Sequence, residues 1–496
     1  MSARRGGGNG SAGGFAGFGA GVLLLVAIAA APLVAACDDL AAPSGARTPM
    51  VTPTEFVANH GPSASPTASA SAGPTLPTTK AWNGTVIRTL PSNTSSQIIG
   101  VGADGTVYLS LLRALSTPVP SGRLFPDYAT SVDAIGRDGS HKAGWPVGGV
   151  AVAGLPVDYK LAGDGTVYVE SFEEPQVMTD NSLSNAVITA IGSNGKIVSG
   201  WPYRTPKSRL ALNAQQGLSL GRDGRVCFNE VRVDEALIDC LGRTGKPLQG
   251  WPYAIDHGLG IPVIGPDGTL YDWQIVPTFQ EQQAGLSREL DVWPSEVLAL
   301  DSKGKIKPAW APWAPETNEA PRAILPSAGG VFVVVDRQSP VGGAQGTRWI
   351  LLGADGRQKL AGTIAPAGGY ADCHSATLMA DGTLLVSTNN YGSDGTLADG
   401  SIYEIAADGS PRTGWPVHVQ GFTSPFLSPD GSVWAVWTDY GDASPPGKGV
   451  IAVFNPDGSL RAGFPVLGAL EISNVAFGPD GTAYVSAGTQ IVAIPR

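Results

Sequence analysis

The stretch PFLSPDGSVWAVWT, residues 425–438, and the stretch GVIAVFNPDGSLRAGFPV, residues 449–466, together make one complete structural repeat. Four short β-rich runs alternate with turns, and a variable loop separates the second run from the third. In each Asp-Gly turn, Asp caps the turn and Gly accepts a positive φ, which suits a tight hairpin. The repeat therefore predicts a four-stranded antiparallel sheet.

Two kinds of turn recur along the chain, and counting them gives the number of sheets. The turn between the first and second strands occurs eight times, at Asp104-Gly105, Asp164-Gly165, Asp223-Gly224, Asp267-Gly268, Gly329-Gly330, Asp381-Gly382, Asp430-Gly431 and Asp480-Gly481. The turn between the third and fourth strands occurs seven times, because the eighth unit ends after its third strand. The segment WNGTVIRTL, residues 82–90, can supply the missing strand. We therefore predict an all-β, eight-bladed β-propeller over residues 81–496, closed by N- and C-terminal strands in one blade, which leaves no open end to the ring.

A Gly-Trp-Pro or Gly-Phe-Pro motif is expected to end the fourth strand of most units. Proline lacks the amide hydrogen that a central strand donates, so it belongs on an edge strand, such as the outermost strand of a blade. The aromatic residue beside it can pack against the neighbouring blade. These motifs begin at Gly144, Gly200, Gly250, Gly414 and Gly463.

The segment Ala-Ile-Gly-Arg-Asp-Gly from Ala134, followed by Trp145, resembles the repeats of eight-bladed quinoprotein-like (PQQ-like) propellers. That family includes quinone-dependent dehydrogenases and a non-enzymatic lipoprotein of the outer-membrane β-barrel assembly machinery. The dehydrogenases use a catalytic Asp, a bound Ca²⁺ and, often, two adjacent cysteines. The chain has no Cys-Cys pair, and no Ca²⁺ ligand set can be matched to it, so we expect neither a cofactor nor a metal.

The two faces of the predicted disc differ in the loops that they carry. All Asp-Gly turns fall after first and third strands and share one side, which we call the turn face. The opposite side, the long-loop face, carries long and dissimilar loops. Variable loops on a rigid frame are the usual place for binding, so we expect the functional site on the long-loop face.

The first strand of each blade is expected to line the axis and to begin on the long-loop face. Polar residues near these starts could hold a small polar ligand, although a solvated funnel without a ligand fits them equally well. The candidate ligand-binding residues are Asp158, Tyr159, His257, Arg322, Asp372 and His374. The oxygen-rich segment NNYGSDGTLADG, residues 389–400, lacks the alternating Asp pattern of a calcium loop.

Two of the four cysteines lie in neighbouring strands of the third unit. If the hairpin turns on Val233-Asp234, counting outward places Cys227 opposite Cys240, within reach of a disulfide. Such a bond would fit an oxidising, extracytoplasmic compartment. Cys373-His374 does not predict a nucleophile pair, because adjacent residues on a strand point to opposite faces.

The N-terminus reads as an export signal rather than as part of the fold. Arg4 and Arg5 precede an apolar run that ends in small residues, and Val34-Ala35-Ala36-Cys37 resembles a bacterial lipobox. This predicts a signal peptide over residues 1–36 and a lipid-anchored Cys37 on the extracytoplasmic side of the cell membrane. Residues 37–80 are rich in Pro, Ser, Thr and Ala and are expected to form a disordered stalk.

The net charge of −10 argues against nucleic acid as a partner, because no basic stripe is present to neutralise phosphates. The first hypothesis is a monomeric binding or scaffold module for an envelope protein or a carbohydrate. The alternative is a propeller enzyme, a lyase, lactonase or sugar hydrolase, with an axial polar site. The "GPDG" phrases are similar to those of lyase and lactonase propellers, but they are scaffold features.

Overall fold

The computed structural model describes most of the chain from residue 84 onward and five residues before it. The described residues are 67–69, 80–81, 84–115, 128–149, 156–172, 183–206, 208–209, 217–231, 236–255, 261–275, 295–316, 318–338, 344–365, 370–392, 397–439, 447–468 and 470–496. The predicted signal peptide, Cys37 and most of the predicted stalk lie outside these ranges. Among the described residues, none forms a helix that is long and apolar enough to cross a membrane.

The described strands form eight radial sheets, and the prediction of an eight-bladed all-β propeller is confirmed. From the axis outward, blade 1 consists of β4 (Thr94–Val101), β5 (Val107–Ala114), β6 (Tyr128–Ile135) and β7 (Val147–Gly148), and blade 2 of β8 (Pro156–Leu161), β9 (Val167–Phe172), β11 (Ala186–Ile191) and β12 (Tyr203–Arg204). Blade 3 consists of β14 (Leu218–Leu220), β15 (Val226–Val231), β16 (Ala236–Leu241) and β17 (Tyr253–Ile255). Blade 4 consists of β18 (Val263–Ile264), β19 (Leu270–Ile275) and β20 (Ser295–Leu300). A short antiparallel pair, β10 (Leu183–Ser184) with β13 (Ser208–Arg209), accompanies them.

Blades 5 to 8 complete the ring. Blade 5 consists of β21 (Glu319–Ser327), β22 (Gly330–Gln338), β23 (Ala344–Leu352) and β24 (Gln358–Ala365), and blade 6 of β25 (Tyr370–Leu378), β26 (Leu384–Tyr391), β27 (Leu397–Ile405) and β28 (Val417–Val419). Blade 7 consists of β29 (Ser424–Leu427), β30 (Val433–Asp439), β31 (Lys448–Phe454) and β32 (Val466–Leu467). Blade 8 consists of β33 (Ile472–Phe477), β34 (Ala483–Ala487), β35 (Gln490–Ile494) and β3 (Thr85–Thr89). The last blade joins both ends of the chain, since β3 pairs antiparallel with β35. The predicted terminal closure is therefore confirmed.

The first strands form the inner ring, because each of them contacts the first strand of a neighbouring blade around most of the axis. Every pairing within a blade is antiparallel, so the turns after first and third strands share one side of the disc. The apolar core lies between blades rather than inside one sheet. For example, one buried cluster joins Val132 and Trp145 of blade 1 to Val167 and Ile191 of blade 2.

The motif tryptophans pack on the neighbouring blade, as the sequence predicts. Four of them are buried, and each donates its indole N–H to a backbone carbonyl just before the second Xaa-Gly turn of the next blade. The pairs are Trp145 with Ser193 (3.2 Å), Trp201 with Arg243 (3.0 Å), Trp251 with Ser302 (3.4 Å) and Trp415 with Pro456 (3.3 Å). We call this recurring contact the rim joint, because it ties consecutive blades together at their outer edge.

The glycine before each tryptophan is part of the rim joint. Gly414 has φ of 88°, and a Cβ atom there would overlap the carbonyl oxygen of Asp457 in the turn of blade 7. The backbones of two blades therefore meet without an intervening side chain. Only glycine satisfies both the positive φ and the close approach.

One expectation about the motif is wrong. Gly-Trp-Pro was expected to end the fourth strand, but the fourth strand follows it: β7 begins at Val147, directly after Pro146. Between the second turn of blade 1 and this motif, one isolated β-bridge joins His141 to Ile135. The proline thus stands at the entrance to the outermost strand, where no ladder bond is required of it.

The rim joint changes at the blade that the chain ends complete. Blade 8 has no turn before its outermost strand, and the residue that faces it from blade 7 is Phe464, which has no N–H to donate. A Cβ on Gly463 would meet nothing within 4 Å. On the other side of blade 8, Arg88 of β3 donates to the carbonyl of Gly139 at 3.3 Å and contacts His141, which is also bonded to buried Asp133 at 2.9 Å. A charged network therefore replaces the indole at this position.

Two pieces of the segment expected to be a disordered stalk are strands. β1 (Thr67–Ser69) pairs parallel with the outermost strand of blade 5, and β2 (Lys80–Ala81) pairs parallel with that of blade 7. The chain thus contacts the rim twice before it enters β3. An added edge strand is held by backbone hydrogen bonds, which residues of any type other than proline can make.

Candidate functional site

The innermost strands of several blades share an irregularity. In five blades the register with the second strand skips one residue of the first strand, which is a β-bulge. The skipped residues are Ile99, Val157, Arg322, His374 and Ser473. Bulges turn a side chain away from its regular direction and are common beside functional sites. In the adjacent blades 5 and 6 the re-aimed side chains are Arg322 and His374.

His374 is buried but incompletely bonded. Its side chain lies toward blade 7, where Nε2 is 3.5 Å from the hydroxyl of Ser424 and the ring meets the edge of Phe422 at 6.0 Å. Nδ1 is buried and has no hydrogen-bond partner among the described residues. Burial lowers the pKa of the imidazole, so His374 is neutral near pH 7. It can therefore offer a donor or an acceptor to a ligand.

Asp372 lies two residues before His374 at the mouth of the same blade. Its Oδ2 accepts a hydrogen bond from the hydroxyl of Tyr391 at 3.3 Å, whereas its Oδ1 is buried without a partner among the described residues. Burial, and then the neighbouring Asp372, raise the pKa of Tyr391 to about 12. Tyr391 thus remains a hydrogen-bond donor at neutral pH.

Arg322 forms a buried ion pair with Asp336 of the next strand. The other oxygen of Asp336 accepts from the Thr347 hydroxyl at 2.7 Å and from the amide of Cys373 in blade 6 at 2.9 Å. Burial raises the pKa of Asp336, and Arg322 opposes that rise. The pair is therefore both a link between blades and a positive group close enough to Asp372 to interact with its charge.

Phe422 is the most exposed large apolar side chain described, with 57% of its surface accessible. It has φ of 57°, a conformation that a bulky residue rarely adopts, and its amide donates to the Asn389 side chain at 2.8 Å. Sequence reasoning missed Phe422, Tyr391 and Asp336. No local pattern signals a left-handed phenylalanine, because the hydrogen bond that holds it comes from another strand.

Further aromatic surface adjoins Phe422. Tyr370 and Tyr391 stand opposite each other on β25 and β26, with rings stacked 5.0 Å apart and inclined by 13°. Leu397 stands opposite Tyr391 on β27 and is 38% exposed. We call Tyr370, Tyr391, Leu397 and Phe422 the apolar strip. It runs across the long-loop end of blade 6 beside the polar groups of Asp372 and His374.

The other predicted axial residues hold blades together. Asp158 accepts the amide hydrogen of Leu218 in blade 3 at 2.8 Å and contacts Lys160. Tyr159 is bonded to Ser110 of blade 1, and burial raises its pKa. The structure does not bring Asp158 and Tyr159 together with Arg322, Asp372 and His374, and His257 lies outside the described residues.

Glu170 stands opposite Asp158 on β9 and is fully buried. Burial, and then the charge of Asp158, raise the pKa of Glu170 to about 8, against a smaller opposing effect of Lys160. One of its oxygens has no partner among the described residues. Glu170 is therefore a protonated acid at neutral pH, packed between blades 2 and 3.

The cysteines in the described ranges contribute to the fold rather than to a reactive site. Cys227 pairs with Cys240 in the register that the sequence predicts, and the two are joined in a disulfide with Cα atoms 4.1 Å apart. Cys373 is a buried thiol whose pKa burial raises well above its usual value, so it is not a nucleophile. Within the described ranges, no group of three or more His, Cys, Asp or Glu side chains could hold a metal ion.

Comparison with known proteins does not identify a family for this chain. No family model matches the chain, and no curated protein matches it. The propeller is similar to a streptogramin B lyase (15% identity, 68% of this chain and 92% of that one, TM-score 0.36) and to the β-propeller domain of the Trilobed protease from Pyrococcus furiosus (10%, 68% and 91%, 0.39). It is also similar to the Dos1 propeller (11%, 82% and 94%, 0.41). At such identities the likeness concerns the fold alone.

Proposed function

We propose that the chain is an exported lipoprotein, anchored through acylated Cys37, whose monomeric propeller binds an extracytoplasmic ligand with its long-loop face. The site consists of Arg322, Asp372, His374 and the apolar strip. One observation carries this proposal: an exposed phenylalanine held at positive φ covers a buried histidine that is only half bonded. Strained residues and unsatisfied buried groups persist where function requires them.

The direction of β1 agrees with an anchored binding module. β24 runs from the turn face to the long-loop face, and β1 is parallel to it, so the chain enters β1 from the turn-face side. The chain that precedes β1 therefore reaches the propeller from the side opposite the proposed site. The Gly-Trp-Pro series supports, by resemblance only, a relation to the quinoprotein-like propellers.

An enzyme on the same site is the second candidate. A carboxylate with one free oxygen and a neutral imidazole, Asp372 and His374, are groups that could move protons for a lyase or a lactonase. The binding proposal ranks first because Asp372 also holds Tyr391 and His374 also contacts Phe422, which are positioning contacts.

Phe422→Gly tests the site, because glycine accepts the positive φ and removes only the ring. The full-length protein is immobilised, and polysaccharide and protein fractions of the cell envelope are passed over it. We expect one fraction to be retained by the wild type and at least ten-fold less by Phe422→Gly. Ile306→Ala is the control, since Ile306 is 54% exposed but lies beside a turn of blade 4. Equal retention by wild type and Phe422→Gly would overturn the proposal, and chemical turnover of the retained material would favour the enzyme.

Anchoring is tested separately by Cys37→Ser. We expect this variant to move from the membrane fraction to the soluble fraction with its ligand retention unchanged. Persistent membrane association would contradict lipidation of Cys37 and leave the binding site unaffected.

A further inference from the structure

We propose that the ligand of this site is a neutral carbohydrate, bound with the apolar C–H face of one sugar ring on the apolar strip and with its hydroxyls on Asp372 and His374. This inference rests on the proposed function and names its ligand class. It chooses between the two partners left open above, an envelope protein and a carbohydrate.

The shape of the strip favours a sugar over a peptide side chain. Tyr370 and Tyr391 are stacked face to face, so the pair offers one outer ring face and its edges rather than a pocket between separated rings. Aromatic side chains combine a flat apolar face with little conformational freedom, which suits packing against a rigid ring. Tyr370, Tyr391 and Leu397 occupy three adjacent strands, so the strip is roughly 10 Å long, the length of about two hexose rings.

The polar groups suit hydroxyls. A hydroxyl both donates and accepts, and two buried atoms beside the strip have no partner among the described residues: Asp372 Oδ1 accepts, and neutral His374 Nδ1 donates or accepts according to its tautomer. Burying a hydroxyl without a partner costs free energy, so these orphaned atoms distinguish a polyol from an apolar ligand. An extended peptide that added a strand at the strip would need a free strand edge there, but β26 and β27, which carry Tyr391 and Leu397, are each paired on both sides.

The charges near the site disfavour ionic ligands. Arg322 is neutralised by Asp336, and His374 is uncharged, which leaves the carboxylate of Asp372. An acidic sugar would meet this carboxylate in a partly buried place, where like charges repel strongly. For a quaternary ammonium ion, the stacked tyrosines do not form the cage of separated rings that such cations prefer.

The test uses defined probes with the full-length protein. Neutral di- to tetrasaccharides of glucose, mannose and galactose, the matching uronate oligosaccharides, and choline are titrated calorimetrically, and saturation-transfer NMR maps the contacting protons. We expect one neutral oligosaccharide to bind, with the strongest transfer to the C–H protons of one ring face. The matching uronate should bind at least ten-fold more weakly.

Three variants give the inference its controls. Phe422→Gly should weaken the neutral sugar at least ten-fold, and Ile306→Ala should leave its affinity unchanged. Asp372→Asn removes the negative charge and keeps an oxygen at the site. It should therefore reduce the difference in affinity between the neutral sugar and the uronate. If Asp372 were merely structural, the substitution would leave that difference unchanged.

The outcomes separate the inference from the proposed function. Stronger binding of uronate or choline than of every neutral sugar would overturn the carbohydrate assignment. If no oligosaccharide binds but an envelope protein is retained in a Phe422-dependent manner, the binding site stands and the ligand class is wrong. If neither is retained, both proposals fail.

Discussion

The rim joints of the turn face and the site on the long-loop face of blades 5 to 7 differ in how completely their polar groups are hydrogen-bonded. At a rim joint, such as Trp415 on Pro456, an indole donates to a backbone carbonyl and a glycine lets two backbones meet. At the site, His374 Nδ1 and Asp372 Oδ1 are buried without partners in the described part of the chain, and Phe422 is exposed at positive φ. The difference indicates that the repeated joints stabilise the ring, whereas the site includes buried polar atoms that no described residue satisfies.

The largest effect is expected at the glycine of a rim joint. Gly414→Ala adds a Cβ that overlaps Asp457 and has the wrong φ, and we expect a loss of about 3 kcal/mol or more in unfolding free energy. Gly463→Ala is the matched control, because its φ of 95° is similar but nothing lies within 4 Å of the new methyl group. It should cost about 1–2 kcal/mol. Equal losses in urea denaturation would show that the close approach contributes nothing.

The disulfide is the next largest contributor. Cys227 and Cys240 are 13 residues apart, and closing a loop of this size stabilises a fold by about 3 kcal/mol. We expect the Cys227→Ala/Cys240→Ala variant to lose about that amount in urea denaturation without reductant. As a check, the thiols titrated in denatured protein should increase by two on reduction. No increase would mean that the pair is reduced in the isolated protein.

Glu170 makes the stability of the fold depend on pH. Its pKa is about 8 in the fold against an ordinary 4.5, so between these values the folded chain holds a proton that the unfolded chain has released. Stability therefore falls as pH rises through this window, and the loss is complete above pH 8. Glu170→Gln mimics the protonated acid. Relative to wild type, its free energy of unfolding should be higher above pH 8 and the same below pH 4.5. A pH-independent difference would contradict this origin.

A smaller effect is expected from the indole hydrogen bond. Trp415→Phe keeps the aromatic ring but loses the bond to Pro456, which should cost about 1 kcal/mol. Phe464→Trp is the reverse change at the closing blade, where no turn offers an acceptor, and we expect no measurable gain. A gain at Phe464 equal to the loss at Trp415 would mean that ring size, rather than the hydrogen bond, matters.

The smallest change in stability, and one of opposite sign, is expected at the site. Phe422→Gly relieves a positive φ, and we expect unfolding free energy to be unchanged or up to about 1 kcal/mol higher. Its binding should nevertheless be lost, as described above. A clear loss of stability would assign Phe422 to the core of the fold rather than to the binding site.

Some site residues could be predicted and others could not. Arg322, Asp372 and His374 follow from strand order, because a polar residue near the start of a first strand must lie near the axis on the long-loop face. Asp158 meets the same condition, yet it bonds to the backbone of the next blade. Asp158 differs from the other three residues in the partner that it meets across the blade interface, and the sequence of a single strand does not specify that partner.

The bulges illustrate the same limit. Arg322 and His374 are the residues skipped by the register of β21 with β22 and of β25 with β26, which depends on both strands. The stacking of Tyr370 on Tyr391 likewise requires that register, and Phe422 is held by Asn389 of the preceding blade.

The sequence by itself determined the number of blades, the closure by the two chain ends and the separation of turns from long loops. These follow from local chemistry, since Gly, Asp and Pro impose backbone angles on their own residues and strands alternate with turns in order. Only the tertiary structure decided which axial residues are bonded and which are left free. Hydrogen bonding between blades depends on side chains that are far apart in the chain and meet only when the ring closes.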